Sequence, residues 1–285
     1  VILTRSGAKL LDFGLAKLTS RGDRPALADL ASAPTQSTLT GQGTIDGQGA
    51  AFAGPYKVRP YLLRLVQCAG VTVQGLTFRY PGTDRDIFTN LNFTIEAEQR
   101  VAIIGPNGIG KTTLMRVLAG ELHPTAGTIT WVENAQMGYM PQDPSAEFAQ
   151  KIDLFNWMST WSGKADDEQI VRATLGRLLF SGDETKKSAT VLSGGEKNRM
   201  MYGKLMLTRP NVMLLDEPTN HMDMETIESL QIGLEKYPGT LIFVSHDREF
   251  VGGLANRMIE LKPDGSVTDF TGTYDEYLES QGLES

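Results

Sequence analysis

Residues 101–113 read VAIIGPNGIGKTT, and this stretch decides the fold. Four apolar residues run into a glycine-rich turn, and an apolar-periodic run follows it. The pattern predicts a strand, a loop and a helix in that order, and the loop fits the phosphate-binding consensus G-x-x-x-x-G-K-[ST]. The residues predicted to bind phosphate groups are Gly105, Pro106, Asn107, Gly108, Ile109, Gly110, Lys111, Thr112 and Thr113.

The chemistry of this loop follows from its residue types. Glycine lets the backbone wrap closely, so that several N–H groups point inward at an anion. The helix that follows offers the positive end of its dipole to the same anion. Lys111 can reach the β- and γ-phosphates of a nucleotide, and the Thr112 hydroxyl can bind Mg²⁺.

Composition and charge exclude several classes of function. Apolar residues make up 40% of the 285 residues and charged residues 21%, which is ordinary for a globular protein. No run approaches the roughly 18 apolar residues that cross a bilayer, so we expect no membrane insertion. The single cysteine, Cys68, suits a reducing cytoplasm. The net charge of −7 argues against a nucleic-acid-coating surface, and no sequence-specific DNA binding is expected.

The first part of the chain contains a short kinase-like segment. Residues 10–17 read LLDFGLAK and resemble the D-F-G segment of protein kinases, and the resemblance covers about residues 1–45. In that family the aspartate, here Asp12, holds Mg²⁺. The chain has no kinase Gly-rich loop before this segment, no H-R-D motif and no A-P-E motif. We therefore expect no kinase activity.

A second resemblance covers residues 43–76. The run GTIDGQG at residues 43–49 resembles a coil of a polygalacturonase-type β-helix, but the catalytic aspartates and histidine of those hydrolases have no counterparts. A solenoid also needs about three stacked repeats for stability, so no glycosidase activity is expected. Residues 1–70 are thus predicted to be a largely irregular mosaic extension, produced by fusion or by a mis-joined reading frame, without a function of its own.

From residue 71 the pattern becomes regular. Alternating apolar residues predict a strand over Val71–Tyr80 and a second over Ile87–Ile95. Tyr80 lies at the end of the first strand, before a Pro-Gly turn. Its ring could stack on an adenine, or it could be an ordinary buried tyrosine, and its position leaves both open.

Residues 144–190 are predicted to be helical and semi-independent. Trp157 and Trp161 lie one helical turn apart and are expected to pack in the core of this part. Asp166 is a plausible N-cap. The predicted buried face of the following helix is Val171, Leu175, Leu178 and Leu179.

A second anion-binding segment is predicted at residues 192–197, which read LSGGEK. Ser193 and Glu196 have the spacing of a capping box that opens a helix. Gly194 and Gly195 leave the backbone N–H groups of that helix end uncovered, which favours anion binding. The alternative is a helix that is merely well capped.

Acidic residues follow a buried strand. Residues 211–218 read NVMLLDEP, and an apolar run that ends in acids predicts a parallel strand with carboxylates at its carboxyl end. Asp216 would hold Mg²⁺, and Glu217 would activate water. The next buried strand, 240–244, leads to His246, a candidate contact of the γ-phosphate. Gln142 could reach Mg²⁺ or the attacking water, or it could be solvated.

Together these motifs resemble an ATP-binding cassette over about residues 71–285. The order is the phosphate loop, Gln142, LSGGE, LLDEPTN and SHD. The resemblance implies an α/β P-loop NTPase with a parallel-sheet core, an antiparallel β subdomain and a helical subdomain at about residues 144–200. The runs EPTNHMD, VSHDREF and GTYDEYL resemble the C-terminal cassette of the bacterial ABC-F class. The stretch from LFNWM at residues 154–158 to GRLLF at residues 176–180 is most similar to the YbiT-type branch of that class. Met222 and Glu98 depart from that pattern, Glu98 at a turn where glycine is usual.

The resemblance implies a cytoplasmic ATPase that uses ATP and Mg²⁺ and acts on the ribosome and its tRNA. Two cassettes meet head to tail, and each ATP lies between the phosphate loop of one and the signature helix of the other. Only one cassette is present here, so weak binding by the monomer is expected, and hydrolysis needs a second cassette. Alternatives are a transporter ATPase subunit and a non-functional fusion that only binds nucleotide. The implied catalytic residues are Glu217, His246 and Gln142, and the implied metal-binding residues are Thr112, Gln142 and Asp216.

Overall fold

The fold is described from a computed structural model, which describes residues 70–163, 168–220 and 222–282. Short 3₁₀ helices lie at Pro144–Phe148, Gly182–Lys186 and Ala189–Val191. The strands are β1 (Val71–Arg79), β2 (Asp86–Ile95), β3 (Arg100–Ile104), β4 (Ala126–Trp131), β5 (Met137–Met140), β6 (Val212–Asp216), β7 (Thr240–Val244), β8 (Arg257–Leu261) and β9 (Val267–Thr271). The helices are α1 (Lys111–Leu118), α2 (Leu154–Ser159), α3 (Glu168–Arg177), α4 (Gly194–Thr208), α5 (Met224–Glu235), α6 (Arg248–Leu254) and α7 (Tyr274–Ser280).

The predicted antiparallel subdomain is a three-stranded sheet in the order β2-β1-β4. Val71 in β1 lies opposite Ile95 in β2 on one side and opposite Trp131 in β4 on the other. Because side chains alternate across a strand, most apolar residues of β1 and β2 are buried, while the residues between them are partly or fully exposed. The alternation seen in the sequence is confirmed.

The second sheet has six strands in the order β5-β6-β7-β3-β8-β9. All neighbouring pairs are parallel except the hairpin of β8 and β9, which closes one edge. Both faces are covered, which explains the unbroken apolar runs. Val212 and Leu214 of β6 belong to one hydrophobic core, and Met213 and Leu215 belong to the other. This order brings the carboxyl ends of β6, β7 and β3 side by side.

The helical part between residues 144 and 190 packs around aromatic residues. The Trp157 ring stacks on Phe148 with centroids 4.7 Å apart, and its Nε1 donates to the Glu147 carbonyl at 2.9 Å. Trp161 lies 5.8 Å from Trp157 and is partly buried against the same core. The prediction of a tryptophan-centred core is confirmed.

The prediction of the buried helix face is wrong for one residue, Leu179. Val171, Leu175 and Leu178 are buried, but 41% of Leu179 is exposed. Helix α3 ends at Arg177, and Leu179 then adopts a left-handed φ of 68°. The helical spacing used in the prediction therefore no longer applies at this position.

Several predictions lie outside the described residues. These are the kinase-like segment with Asp12, the β-helix-like segment up to residue 69, and the N-cap at Asp166. Residues 71–76, which the second resemblance included, are part of β1 and pair with β2 and β4. Among the described residues, no helix has the length and apolar character needed to cross a membrane.

Candidate functional site

The phosphate-loop sequence connects β3 to α1, as predicted. Gly105, Gly108 and Gly110 have φ values of 141°, 75° and 112°, in the region that glycine adopts without strain. A Cβ on Gly105 would lie 2.5 Å from the Leu261 carbonyl oxygen, and one on Gly110 would overlap the Ile87 side chain. Both glycines are therefore required by space as well as by conformation. Gly110 is also the N-cap of α1, so the residue at this position has no side chain that could cap the positive end of the helix.

The Lys111 side chain folds back over the loop. Its Nζ donates to the carbonyl oxygens of Gly105 at 2.8 Å and Pro106 at 3.0 Å, and the residue is only 7% exposed. Burial lowers the pKa of Lys111, and the nearby carboxylates of Glu217 and Asp216 act in the opposite direction. An anion above the loop would restore the favourable environment of this cation.

Asp216, at the carboxyl end of β6, is fully buried. Neither of its carboxylate oxygens has a hydrogen-bond partner in the described part of the chain. Burial raises the pKa of Asp216 to about 6; the Thr112 hydroxyl and Lys111 oppose this shift, and Glu217 adds to it. A buried carboxylate without a partner is costly, and a cation bound there would satisfy it.

The residues around Asp216 fit a magnesium ion. The Thr112 hydroxyl donates to Gln142 Oε1 at 3.4 Å, so the loop and the segment after β5 meet here. Hydroxyl, amide and carboxylate oxygens are the ligands that Mg²⁺ prefers, usually with water and substrate phosphates completing the shell. The described residues contain no cluster of three His, Cys, Asp or Glu side chains that could hold a metal.

Glu217 follows Asp216 directly and has a left-handed φ of 52°. It is 5% exposed, and its backbone N–H donates to the Val244 carbonyl at 2.9 Å. Its Oε2 accepts the His246 backbone N–H at 3.3 Å, and its Oε1 lies 3.2 Å from His246 Nε2 without a hydrogen bond. The strained backbone of Glu217 is thus held by Val244 of β7 and by His246, two residues after that strand, as is frequent at functional sites.

A cavity of about 490 Å³ opens above the phosphate loop. It brings together the loop, Gln142, Glu217 and His246, which lie far apart in the sequence. Some predicted site residues do not line this cavity: Tyr80, Gly105, Pro106, Ile109, Asp216 and residues 193–196. The residues that line it are Asn107, Gly108, Gly110, Lys111, Thr112, Thr113, Gln142, Glu217, Val244 and His246.

Tyr80 is neither fully buried nor free. Its ring meets Phe78 edge-on with centroids 5.0 Å apart and packs partly buried against the core beneath the antiparallel sheet. Its hydroxyl lies 3.0 Å from Thr113 Oγ1, within hydrogen-bond distance. No motif in the sequence predicts this contact.

The helix at the second predicted anion segment is capped as expected. Ser193 Oγ accepts the Glu196 N–H at 3.4 Å, and Glu196 Oε2 accepts the Ser193 N–H at 2.7 Å. Lys187, which the sequence did not single out, donates from Nζ to Glu196 Oε1 at 2.7 Å. Partial burial by itself raises the pKa of Glu196, but the bonds from Lys187 and Ser193 outweigh it and lower the pKa to about 2.

Comparisons with known proteins agree with this geometry. Residues 88–220 match the family model described as ABC transporter. Over 213 residues, which are 74% of this chain, the sequence is 54% identical to the probable ATP-binding protein YbiT of Escherichia coli O157:H7. Over 233 residues it is 36% identical to ABC transporter F family member 2 of Arabidopsis thaliana. The chain spans 39% and 34% of the length of these two relatives.

A solved structure supports the fold. A bacterial Atm1-family ABC exporter with ATP bound superimposes with a TM-score of 0.64 at 23% identity, over 75% of this chain and 41% of the exporter chain. The described part of this chain therefore has the P-loop NTPase fold of an ABC cassette.

Proposed function

We propose that this cassette binds ATP with Mg²⁺ and hydrolyses the nucleotide once a second cassette covers it. The observation that carries the proposal is the cavity in which the phosphate loop, Gln142, Glu217 and His246 converge beside a buried Asp216 without a hydrogen-bond partner. Such an arrangement suits phosphoryl transfer, where positioning and electrostatic stabilisation supply most of the catalysis.

Each residue has a role that follows from its place. The loop N–H groups and Lys111 bind the phosphates. Thr112, Gln142 and Asp216 would hold Mg²⁺, which would supply positive charge to the phosphates. Glu217 accepts a proton from the attacking water while it orients that water towards the γ-phosphate. His246, which is 58% exposed at its side chain, donates towards the charge that develops on the phosphate.

A second cassette is needed because the 193–196 segment does not line the cavity above the phosphate loop. We propose that this segment completes the nucleotide site of another molecule, either a copy of this chain or a cassette on a longer chain. Residues 71–285 would form the cassette, with the helical subdomain at about residues 144–200. Residues 1–70 would be an extension without a separate function.

The cellular role proposed here is that of the ABC-F class. The support is the resemblance of the motifs after residue 216 and the similarity to a relative named as an F family member. By that resemblance the partners are the ribosome and tRNA, and the location is the cytoplasm. These assignments concern a chain that spans only part of its relatives.

A transporter ATPase subunit is the second candidate. It would need a groove for a membrane partner between the Gln142 loop and the helical subdomain. The structure has a cavity of about 730 Å³ in this place, lined by Gln142, Pro144, Glu147, Trp157 and Trp161 among others. This cavity is the observation that favours the transporter subunit as a second candidate.

The decisive experiment compares the wild-type chain with Glu217→Gln. We expect phosphate release from ATP to rise with the square of protein concentration and to fall by about 10²-fold or more in the variant. With saturating MgATP, light scattering should show the variant as a stable dimer. A variant that remains monomeric under those conditions would count against self-association, and absent turnover with or without an added partner cassette would support the non-functional fusion.

Co-sedimentation separates the two cellular roles. The variant should pellet with ribosomes in the presence of ATP and should remain in the supernatant with membrane vesicles. The opposite distribution would favour the transporter subunit.

A further inference from the structure

We infer that Tyr80 is a positioning residue for the nucleotide phosphates, and that it acts through the hydroxyl of Thr113. The inference rests on the proposed binding of nucleotide at the phosphate loop. It concerns the phenol oxygen of Tyr80 and holds whether or not the Tyr80 ring stacks on a base.

The geometry places Thr113 between Tyr80 and the site. Thr113 lies in the first turn of α1, is 7% exposed and lines the cavity above the phosphate loop. Tyr80 does not line that cavity, yet its hydroxyl is 3.0 Å from Thr113 Oγ1. Any effect of the Tyr80 hydroxyl on a ligand in the cavity therefore passes through Thr113.

The chemistry of the ligand fixes the direction of these hydrogen bonds. Either hydroxyl can be the donor in the free protein. Phosphate oxygens only accept, so when a phosphate lies beside Thr113 the threonine hydroxyl must donate to it. Thr113 Oγ1 is then left with lone pairs only, and the Tyr80 O–H is the donor placed to fill one of them. The two bonds form a chain that polarises in one direction, and each strengthens the other.

The Tyr80 ring is held in place for this task. It packs edge-on against Phe78, a buried residue of β1, with an interplanar angle of 88°. A phenol fixed by its ring loses little conformational entropy when its hydroxyl bonds. The antiparallel subdomain thereby selects the rotamer of a hydroxyl at the start of α1.

Two ligands and two substitutions test the inference. Calorimetric titration of the full chain would use MgATP and Mg-tripolyphosphate, which has three phosphates and no base. Loss of one hydrogen bond should make Tyr80→Phe bind both ligands about threefold to tenfold more weakly. In a Thr113→Val background, Tyr80→Phe should cause no further loss, because the connecting hydroxyl is gone.

Controls separate this role from a general effect on folding. Tyr237→Phe removes another bonded phenol, 2.9 Å from the Pro210 carbonyl and before the start of β7, at the end of that strand away from the cavity. It should leave both affinities unchanged. Normal affinities in Tyr80→Phe, or additive losses in the double variant, would overturn the inference alone. Failure of the wild-type chain to bind either ligand would overturn the proposed function and this inference with it.

Discussion

The phosphate loop before α1 and the signature segment before α4 both lead into a helix N-terminus, but side chains cap only the second of these helices. At the loop, Gly110 offers no side chain as a cap, and the cation of Lys111 donates to the loop carbonyl of Gly105. At the signature segment, the carboxylate of Glu196 already accepts the Ser193 N–H and pairs with Lys187. The N-terminus of α1 has no anionic group as a cap, whereas the N-terminus of α4 is already capped by the Glu196 carboxylate.

This difference explains why the two segments would act on different molecules. A capping carboxylate satisfies the helix dipole, so the signature segment gains less from an added phosphate than the loop does. Lys187 offsets the negative charge of Glu196 and keeps a phosphate from being repelled. The loop should therefore bind nucleotide by itself, and the signature segment should contribute only once another cassette supplies the phosphates.

The largest effect is expected at the loop. Lys111→Ala removes charged hydrogen bonds to the phosphates and should weaken MgATP binding by the single chain roughly 10-fold to 100-fold. Lys151→Ala, at an exposed position, is the matched control and should bind normally. Titration with a fluorescent ATP analogue measures both. A loss below about threefold in Lys111→Ala would break the comparison, because the loop would then not depend on its cation.

The next effect is expected at the signature segment. Gly194→Asp adds a negative charge at the first residue of α4, which should stabilise the helix by about 0.5 kcal/mol but repel a phosphate. Affinity of the single chain for MgATP should stay within about twofold of the wild type, while concentration-dependent hydrolysis should fall about tenfold or more. Gly194→Asn has the same shape without the charge and should retain more turnover. Weakened binding by the single chain would show that both segments serve one molecule.

The smallest effect concerns the stability that Glu196 supplies. Glu196→Gln should lower the free energy of unfolding by about 1 kcal/mol at pH 7, because the ion pair with Lys187 is lost. Since the folded pKa lies below the unfolded one, this contribution is present above the unfolded pKa of about 4.3. It should disappear as the pH falls through about 2. Urea unfolding at several pH values measures the difference.

Glu225→Gln is the matched control for this last prediction. Glu225 also lies in the first turn of a helix, α5, so its substitution removes a similar charge from a similar place. Its loss of stability should be smaller, about 0.3 kcal/mol. Equal losses in the two variants would mean that the pair with Lys187 contributes nothing beyond the helix dipole.

Much of the fold could be predicted because its signals are local. The alternation in β1 and β2 and the capping box at Ser193 depend on residues a few positions apart, and each element lies where it was expected. Glu98 is a similar case. It was predicted to occupy a turn position where glycine is usual, and its φ of 64° shows the left-handed conformation that such a turn requires.

The prediction of the buried helix face was wrong at Leu179, because the helix ends earlier than its apolar spacing indicates. Leu179 keeps the helical spacing of its neighbours, but the helix stops before it and the side chain is exposed. The sequence signal for this end is weak, since Gly176 lies within the helix and no glycine or proline follows Arg177 until Gly182. The packing of Leu178 and Phe180 into the core sets the turn between them.

The sequence by itself determined the elements and the identity of the phosphate loop, because backbone conformation and capping act over short distances along the chain. Only the tertiary structure decided which groups meet: Lys187 with Glu196, Tyr80 with Thr113, and the unpartnered Asp216 beside Lys111. The two hydrogen-bonded pairs join segments whose relative position is fixed by sheet order and core packing. Burial shifts the pKa values of Lys111 and Asp216, and these residues become buried only when the chain folds.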